Sequence, residues 1–144
     1  MSPNATLSPA RIAALVLPPL AVMALIFLLS GQPSDNVDRA WWDLLLRKLA
    51  HVTEYAVLTL LWWRALRGFG VKRALVAAVL ISLAYSCTDE FHQTFVDGRH
   101  GTPVDVLIDS IGMAIAALAI LRATANPRSL AADRHVGERL ERAR

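Results

Sequence analysis

Apolar residues are gathered into four long runs along the chain, and most polar residues lie between or beside these runs. Each run approaches the roughly 20 residues that an α-helix needs to cross the hydrocarbon core of a bilayer. We therefore expect an all-α fold in which four transmembrane helices form a bundle. The pattern predicts these helices at about residues 12–30, 44–66, 73–95 and 103–122.

The first two runs each carry a complication. Pro18 and Pro19 should bend the first helix, which a bundle tolerates when its neighbours satisfy the carbonyl groups that prolines free. A cleaved signal peptide is the alternative for this run. The run is long for such a segment and no convincing cleavage site precedes Gln32, so a retained helix is favoured. The second run carries four polar residues in its first half: Arg47, Lys48, His51 and Glu54.

Composition agrees with a membrane protein. Of the 144 residues, 55% are hydrophobic, and the mean hydropathy of +0.42 exceeds that expected of a soluble domain of this length. We predict one transmembrane domain, residues 1–121, followed by a basic cytoplasmic tail, residues 122–144. A short amphipathic helix is a candidate for residues 133–144. The single cysteine, Cys87, allows no intramolecular disulfide.

The distribution of basic residues predicts the orientation of the bundle. A net charge of +3 and a pI of 9.6 are compatible with nucleic-acid binding. The basic residues instead flank the second connection, residues 64–73, and fill the tail, so we expect membrane lipids and no nucleic acid as partners. The positive-inside rule then places both termini in the cytoplasm. The polar ends of helices two, three and four consequently meet near the extracytoplasmic side.

Helical spacing sorts the candidate functional residues onto three faces. The face on the second helix carries Lys48, His51, Tyr55 and Thr59, and Glu54 points away from it. The stripe on the third helix carries Ser82, Ser86, Asp89 and Gln93, with Glu90 at its edge. The face on the fourth helix carries Asp105, Asp109, Gly112 and Ala116, of which the last two permit close helix contact.

Charged residues near a helix end can reach the membrane interface at modest cost. We interpret five residues, taken singly, in this way: Arg47, Glu54, Asp89, His92 and His100. This interpretation does not suit a set of both charge signs that lies on facing stripes: Lys48, His51, Glu90, Gln93, Arg99 and Asp105. Ionisable residues inside a membrane are functional candidates by default. A structural ion-pair network that fixes helix register is the alternative.

Four short motifs follow one another across the last three helices. They are Lys-x-x-His-x-x-x-Tyr from Lys48, Glu-x-x-Gln from Glu90, Gly-Arg from Gly98, and Thr-x-x-Asp-x-x-x-Asp-x-x-Gly from Thr102. Together with the turn Ser-Gly-Gln-Pro from Ser30, their order and spacing resemble the VanZ-like family of small membrane proteins. The resemblance covers roughly residues 30–112.

The sequence departs from the family pattern at three positions. Asp109 stands where the family usually has Asn, Asp97 where Pro often precedes Gly-Arg, and Arg47 where an acidic residue often precedes the lysine. The first departure changes the charge of the site, because two carboxylates one helical turn apart could share a proton or a cation.

The resemblance implies a multi-pass protein of the bacterial inner membrane that acts in the cell envelope. The founding member of the family is associated with low-level resistance to teicoplanin-type glycopeptides. The family as a whole has no established activity, so the resemblance implies a context and leaves open whether this protein is an enzyme.

The first functional hypothesis is a site that binds or acts on an anionic envelope lipid or precursor. Lys48 and Arg99 would bind the headgroup, and His51 would act as general acid or base. The catalytic candidates are His51, Glu90 and Asp105. The binding candidates are Lys48, Tyr55, Gln93, Arg99, Thr102 and Asp109.

Two further hypotheses remain open. In one, the polar cluster is architectural in a non-enzymatic scaffold or partner-binding protein, and Gly112-x-x-x-Ala116 packs helices within the bundle or between protomers of a homo-oligomer. Alternatively, four residues could bind a cation or relay protons: His51, Glu90, Asp105 and Asp109. Their spacing matches no dedicated metal motif, so we predict no metal and no cofactor.

Overall fold

A computed structural model describes residues 7–33 and 41–125, and this part of the chain forms four α-helices and no strand. The helices are α1 (Pro9–Ser30), α2 (Trp41–Gly68), α3 (Ala74–Gln93) and α4 (Pro103–Ala125). The expected all-α architecture of four packed helices is confirmed.

Two helix ends differ from the expected boundaries in ways that matter. α2 begins at Trp41, so Trp41 and Trp42 both belong to its first turn. α4 continues through Arg122 to Ala125, so the helix extends into the region expected to be tail. The remainder of the tail, with its candidate amphipathic helix, lies outside the described residues.

Three helices, α1, α3 and α4, are long and apolar enough to cross a membrane. α2 has 28 residues, which give about 42 Å of helix, but its first half is too charged for it to meet the same standard. It packs against each of the other three helices instead of standing alone in lipid. Large apolar side chains such as Leu17, Leu28 and Leu107 lie exposed on the outside of the bundle. These helices are those of a membrane protein.

Local sequence explains several helix ends. The Ser8 side chain accepts a hydrogen bond of 3.3 Å from the backbone N–H of Arg11, and Pro9 occupies the first turn of α1, where its missing N–H is not needed. Gly70 and Gly98 have positive φ angles of 77° and 71° in the turns before α3 and after α3. Glycine adopts this left-handed conformation without steric strain.

The double proline in α1 is accommodated by a neighbouring helix. Pro18 has no N–H to donate to the carbonyl group of Ala14, four residues earlier. A guanidinium N–H of Arg64 on α2 donates to this carbonyl oxygen at 3.2 Å. The freed acceptor is therefore satisfied by a side chain, as the sequence led us to expect.

The core lies where α1, α2 and α4 meet. It is formed by Ile26, Tyr55, Leu58 and Met113, which are at most 2% exposed. Gly112 brings α4 directly against α2, since a Cβ atom at this position would lie 2.1 Å from the carbonyl oxygen of Val52. Close contact between the two helices depends on the absence of a side chain at Gly112.

Candidate functional site

The polar ends of α2, α3 and α4 surround a cavity of about 340 Å³ at one end of the bundle, and the C-terminal end of α1 completes its wall. Six of the nine predicted site residues line the cavity: Lys48, His51, Glu90, Gln93, Arg99 and Asp105. The other three, Tyr55, Thr102 and Asp109, do not line it. The convergence of three helices on one polar region is therefore present in the structure.

Asp109 connects α4 with both neighbouring helices. One of its carboxylate oxygens lies 3.1 Å from Nδ1 of His51 on α2. The other accepts a hydrogen bond of 2.6 Å from the hydroxyl group of Ser86 on α3. Asp109 and Ser86 are fully buried, whereas the His51 side chain is 20% exposed. The two buried residues thus hold the imidazole ring, which faces the cavity, in a fixed orientation.

Asp105 forms a second polar connection between α2 and α4. One carboxylate oxygen contacts the ammonium group of Lys48, and the other accepts a hydrogen bond of 2.8 Å from the hydroxyl group of Thr102. The same hydroxyl accepts a hydrogen bond of 3.2 Å from the backbone N–H of Asp105, as expected of a helix N-cap. Thr102 therefore caps α4 and positions Asp105.

Asp89 does not extend to the membrane interface, and our interpretation of this residue was wrong. It is 2% exposed, and it accepts hydrogen bonds from the Ser30 hydroxyl at 2.5 Å and from the Gln93 amide at 3.1 Å. Its place on the buried stripe of α3 turns it towards α1, where Ser30 supplies a donor. The adjacent Glu90, 5% exposed, accepts from Gln93 at 3.2 Å and from the backbone N–H of Thr102 at 3.0 Å.

The other four residues that we assigned to the interface behave differently from one another. Arg47 forms an exposed pair of 3.2 Å with Asp43, one turn earlier in α2, as a surface residue would. Its side chain, like those of Glu54 and His100, also lines the cavity. Glu54 was expected to point away from the site, but the cavity is wide enough to include it. His92 stacks on Phe27 of α1, with ring centroids 4.3 Å apart, and therefore packs within the bundle.

Arg99 binds the C-terminal end of α1. Its guanidinium group donates to the carbonyl oxygens of Leu29 at 3.0 Å and Gln32 at 2.9 Å, and it reaches the Gln93 side-chain oxygen at 3.5 Å. A cationic side chain is favourable there, because the last carbonyl groups of a helix lack intrahelical donors. Arg99 thus ties the loop after α3 to α1 and presents positive charge at the cavity wall.

Tyr55 lies deeper than the cavity. It is fully buried in the core, and its hydroxyl group forms no hydrogen bond with the described part of the chain. One turn further along α2, the Thr59 hydroxyl donates to the carbonyl oxygen of Tyr55 at 2.8 Å and contacts the Ser82 hydroxyl at 3.1 Å. Of the face that we predicted on α2, Tyr55 and Thr59 are therefore buried, whereas Lys48 and His51 line the cavity.

Gly101 contributes to the site and was not singled out by the sequence analysis. A Cβ atom at Gly101 would lie 1.8 Å from the carbonyl oxygen of Glu90, so only glycine lets the loop before α4 lie against the end of α3. This approach brings the Thr102 N–H to the carboxylate of Glu90. The sequence signal that could have indicated this residue was the position of Gly101 immediately before Thr102.

The contacts constrain the chemistry that the site can perform. Ser86 donates to Asp109 and not to His51, so Asp109 lies between the hydroxyl group and the imidazole. A nucleophilic serine needs the imidazole to accept its proton, and this order therefore does not activate Ser86. His51 can exchange a proton with a molecule in the cavity, and Lys48 and Arg99 can stabilise negative charge there.

A cluster of candidate metal ligands lies at the cavity, and two of its three residues line the wall. Potential ligand atoms of His51, Asp89 and Glu90 all lie within 4.8 Å of one another. This set differs from the four residues that we considered from the sequence, because Asp105 pairs with Lys48 and Asp109 with His51. In the structure, Asp89 joins His51 and Glu90 in the candidate set in place of Asp105 and Asp109.

Comparison with known proteins agrees with this architecture. No curated protein and no solved structure matches the chain. A family model described as VanZ/LLP1 matches residues 12–124. This range contains α2 and α3 entirely, all but the first three residues of α1, all but the last residue of α4, and every residue that lines the cavity. The chain therefore belongs to the VanZ/LLP1 family.

Proposed function

We propose that the cavity binds the anionic headgroup of an envelope lipid or a lipid-linked envelope precursor. The observation that carries this proposal is the composition of the cavity wall. Five of its residues have basic side chains: Arg47, Lys48, His51, Arg99 and His100. Apolar side chains of Ile26, Leu29 and Leu44 line the same cavity. A lipid needs both surfaces, one for its charged headgroup and one for the start of its chain.

The volume and surroundings of the cavity support a headgroup as its occupant. About 340 Å³ lies in the usual range of small-molecule sites, which begins near 300 Å³. The cavity lies among helices whose outer surfaces are apolar, so a lipid could enter from the membrane. With both termini in the cytoplasm, as the basic residues predict, the cavity lies near the outer surface of a bacterial inner membrane.

His51, Glu90 and Asp105 would carry any chemical step on the bound lipid. His51 is held by Asp109 and faces the cavity, so it is the candidate proton donor or acceptor. Glu90 also faces the cavity. Asp105 contacts the ammonium group of Lys48 and keeps this group at the cavity wall. An effect on susceptibility to teicoplanin-type glycopeptides would follow if the bound molecule is a peptidoglycan precursor.

Binding of polyprenyl phosphate tests the proposal, with the uncharged polyprenol as the matched lipid. We expect the wild-type protein in nanodiscs to prefer the phosphate, and Lys48→Gln to weaken its binding about 10-fold, the effect of losing one charge-assisted hydrogen bond. Lys72→Gln is the control, because Lys72 lies at the opposite end of the bundle. Equal binding of both lipids, or unchanged binding by Lys48→Gln, would contradict the proposal.

An architectural role is the second candidate, and the pairing of polar groups across helices favours it. Ser30 with Asp89, Lys48 with Asp105, and His51 with Asp109 each join two helices. For this role, a His51→Gln variant should lose thermal stability and lipid binding together. Loss of lipid processing in a variant with wild-type melting temperature would favour the site instead.

A further inference from the structure

We infer that His51, Asp89 and Glu90 form a binding site for a divalent transition-metal ion. One imidazole nitrogen and two carboxylate oxygens, all within 4.8 Å of one another, converge from α2 and α3. Ligand atoms bound to one tetrahedral ion at about 2.1 Å are roughly 3.4 Å apart. The farthest pair would therefore move together by on the order of 1 Å, which side-chain rotation can supply.

The charge of the trio is the first argument. Asp89 and Glu90 are adjacent in the chain and are 2% and 5% exposed. Within the described residues, Asp43 pairs with Arg47, Asp105 with Lys48, and Asp109 with His51. No basic side chain in this part of the chain forms an ion pair with Asp89 or Glu90. Two neighbouring buried carboxylates are costly without a compensating charge, and a divalent cation would supply it.

The orientation of His51 is the second argument. Its Nδ1 atom faces Asp109, and Ser86 holds the opposite oxygen of that carboxylate. A carboxylate beside one ring nitrogen fixes the tautomer and leaves the other nitrogen, Nε2, with its lone pair available to a metal. Buried Asp109 thus stands where the supporting carboxylate of a metal-bound histidine commonly stands.

The two carboxylates are also held in place without losing their capacity to bind a metal. Asp89 accepts hydrogen bonds from Ser30 and Gln93, and Glu90 accepts from Gln93 and the backbone of Thr102. Each of these oxygens has two lone pairs, of which one hydrogen bond uses one. Donors from α1, α3 and the loop before α4 therefore position the ligand atoms in advance.

Tyr55 provides an independent observation at the same place. Its side chain is fully buried, and its hydroxyl group has no hydrogen-bond partner in the described part of the chain. The Tyr55 ring stacks beside the ring of His51, with centroids 6.4 Å apart. A buried unpaired donor is unfavourable, and an oxygen atom bound to the metal would give it an acceptor.

The ligand set indicates the class of metal. One imidazole and two carboxylates suit Zn²⁺, Mn²⁺ or Fe²⁺ better than Ca²⁺, which prefers six or more oxygen ligands. Because His51 and Glu90 also line the cavity, an ion bound here would keep an open coordination position towards it. Contact between this ion and a lipid phosphate in the cavity rests on the proposed function. Binding of the metal itself does not.

Metal analysis of the full-length protein, purified in detergent, tests the inference. After exposure to Zn²⁺ or Mn²⁺ and removal of the excess, we expect about one ion per chain and a lower melting temperature after chelation. Asp89→Asn and His51→Gln should bind the ion at least 10-fold more weakly. Glu54→Gln is the matched control, because this carboxylate lines the cavity outside the trio and should retain the ion.

Co²⁺ substitution keeps the test valid if a variant fails to fold. Ligation by His51 should give the wild-type protein visible ligand-field absorption that Zn²⁺ abolishes by competition. Metal at background level in the wild type, no spectral change with Co²⁺, or full retention by both trio variants would overturn the inference. Wild-type protein that binds polyprenyl phosphate but no metal would overturn this inference alone. Protein that binds metal but neither lipid selectively would overturn the proposed function alone.

Discussion

The two ends of the bundle are held together by different interactions. At the end that contains the cavity, polar side chains connect the helices, as in the contacts of Asp109 with His51 and Ser86. Towards the opposite end, α2 and α3 bury the small side chains of Ala65 and Ala78, both at 0% exposure. The contact between the Thr59 and Ser82 hydroxyl groups and the hydrogen bond from the Tyr85 hydroxyl to the Met23 carbonyl oxygen lie between these regions.

The difference shows how a small membrane bundle can contain a polar site. Lipid provides no hydrophobic driving force between helices, so association depends on close packing and on interhelical hydrogen bonds. Small residues let the helices approach closely at the opposite end. At the cavity end, polar side chains join the helices around an open space of about 340 Å³. The same contacts that join the helices there also position the site.

Removal of Asp109 should have the largest effect on stability. Asp109→Ala leaves Ser86 and His51 without their buried partner, and we expect a loss of about 3 kcal/mol of unfolding free energy. Denaturation in mixed micelles, followed by circular dichroism, measures it. Asp109→Asn is the control, because its amide oxygen can still accept from Ser86, and it should lose about half as much. Equal losses in the two variants would show that the carboxylate charge, and not the hydrogen bond, stabilises the bundle.

Gly112→Ala should have the next largest effect, because it tests the border between the two ends. The added Cβ atom would lie 2.1 Å from the carbonyl oxygen of Val52, so α2 and α4 must separate. We expect a loss of about 2 kcal/mol, typical of overpacking, in the same unfolding measurement. Ile115 lies on the outer side of α4 and is 52% exposed, so Ile115→Ala should change the unfolding free energy little. A stable Gly112→Ala variant would mean that the helices do not approach this closely.

Thr59→Val should have the smallest effect of the three. The substitution keeps the shape of the side chain and removes the hydroxyl group that donates to Tyr55 and contacts Ser82. A loss of about 1 kcal/mol is expected for one buried hydrogen bond. Ser110→Ala on α4, which removes only a bond to its own helix at Val106, is the comparison. A loss as large as that of Asp109→Ala would erase the distinction between the two ends.

The helices were predictable because their signals are local in the sequence. Long apolar runs, the glycines at turns and Pro103 at the start of α4 each act within a few residues. The general position of the site followed in the same way, since Lys48, Glu90 and Asp105 fall near helix ends that a bundle brings together. The family resemblance read from those motifs is confirmed by the match over residues 12–124.

The details of the site were not predictable, because they depend on contacts between residues distant in sequence. Burial of Asp89 results from Ser30, 59 positions earlier, and binding of Arg99 to α1 results from carbonyl groups 67 and 70 positions earlier. Helical periodicity gave the face of each helix but not the rotation of one helix against another. For the same reason, Tyr55 could be placed beside His51 on one face without revealing that it lies below the cavity.

An all-α membrane protein with a polar region shared by three helices follows from the amino-acid sequence alone. Hydrophobicity decides which segments enter a membrane, and buried charges must then find one another. The packing of the helices in three dimensions sets which partners they find. It joined Asp109 to His51, turned Asp89 inward beside Glu90, and assigned Arg99 to the end of α1. Pairing is set by distances of a few ångströms between helices, which no pattern along one chain specifies.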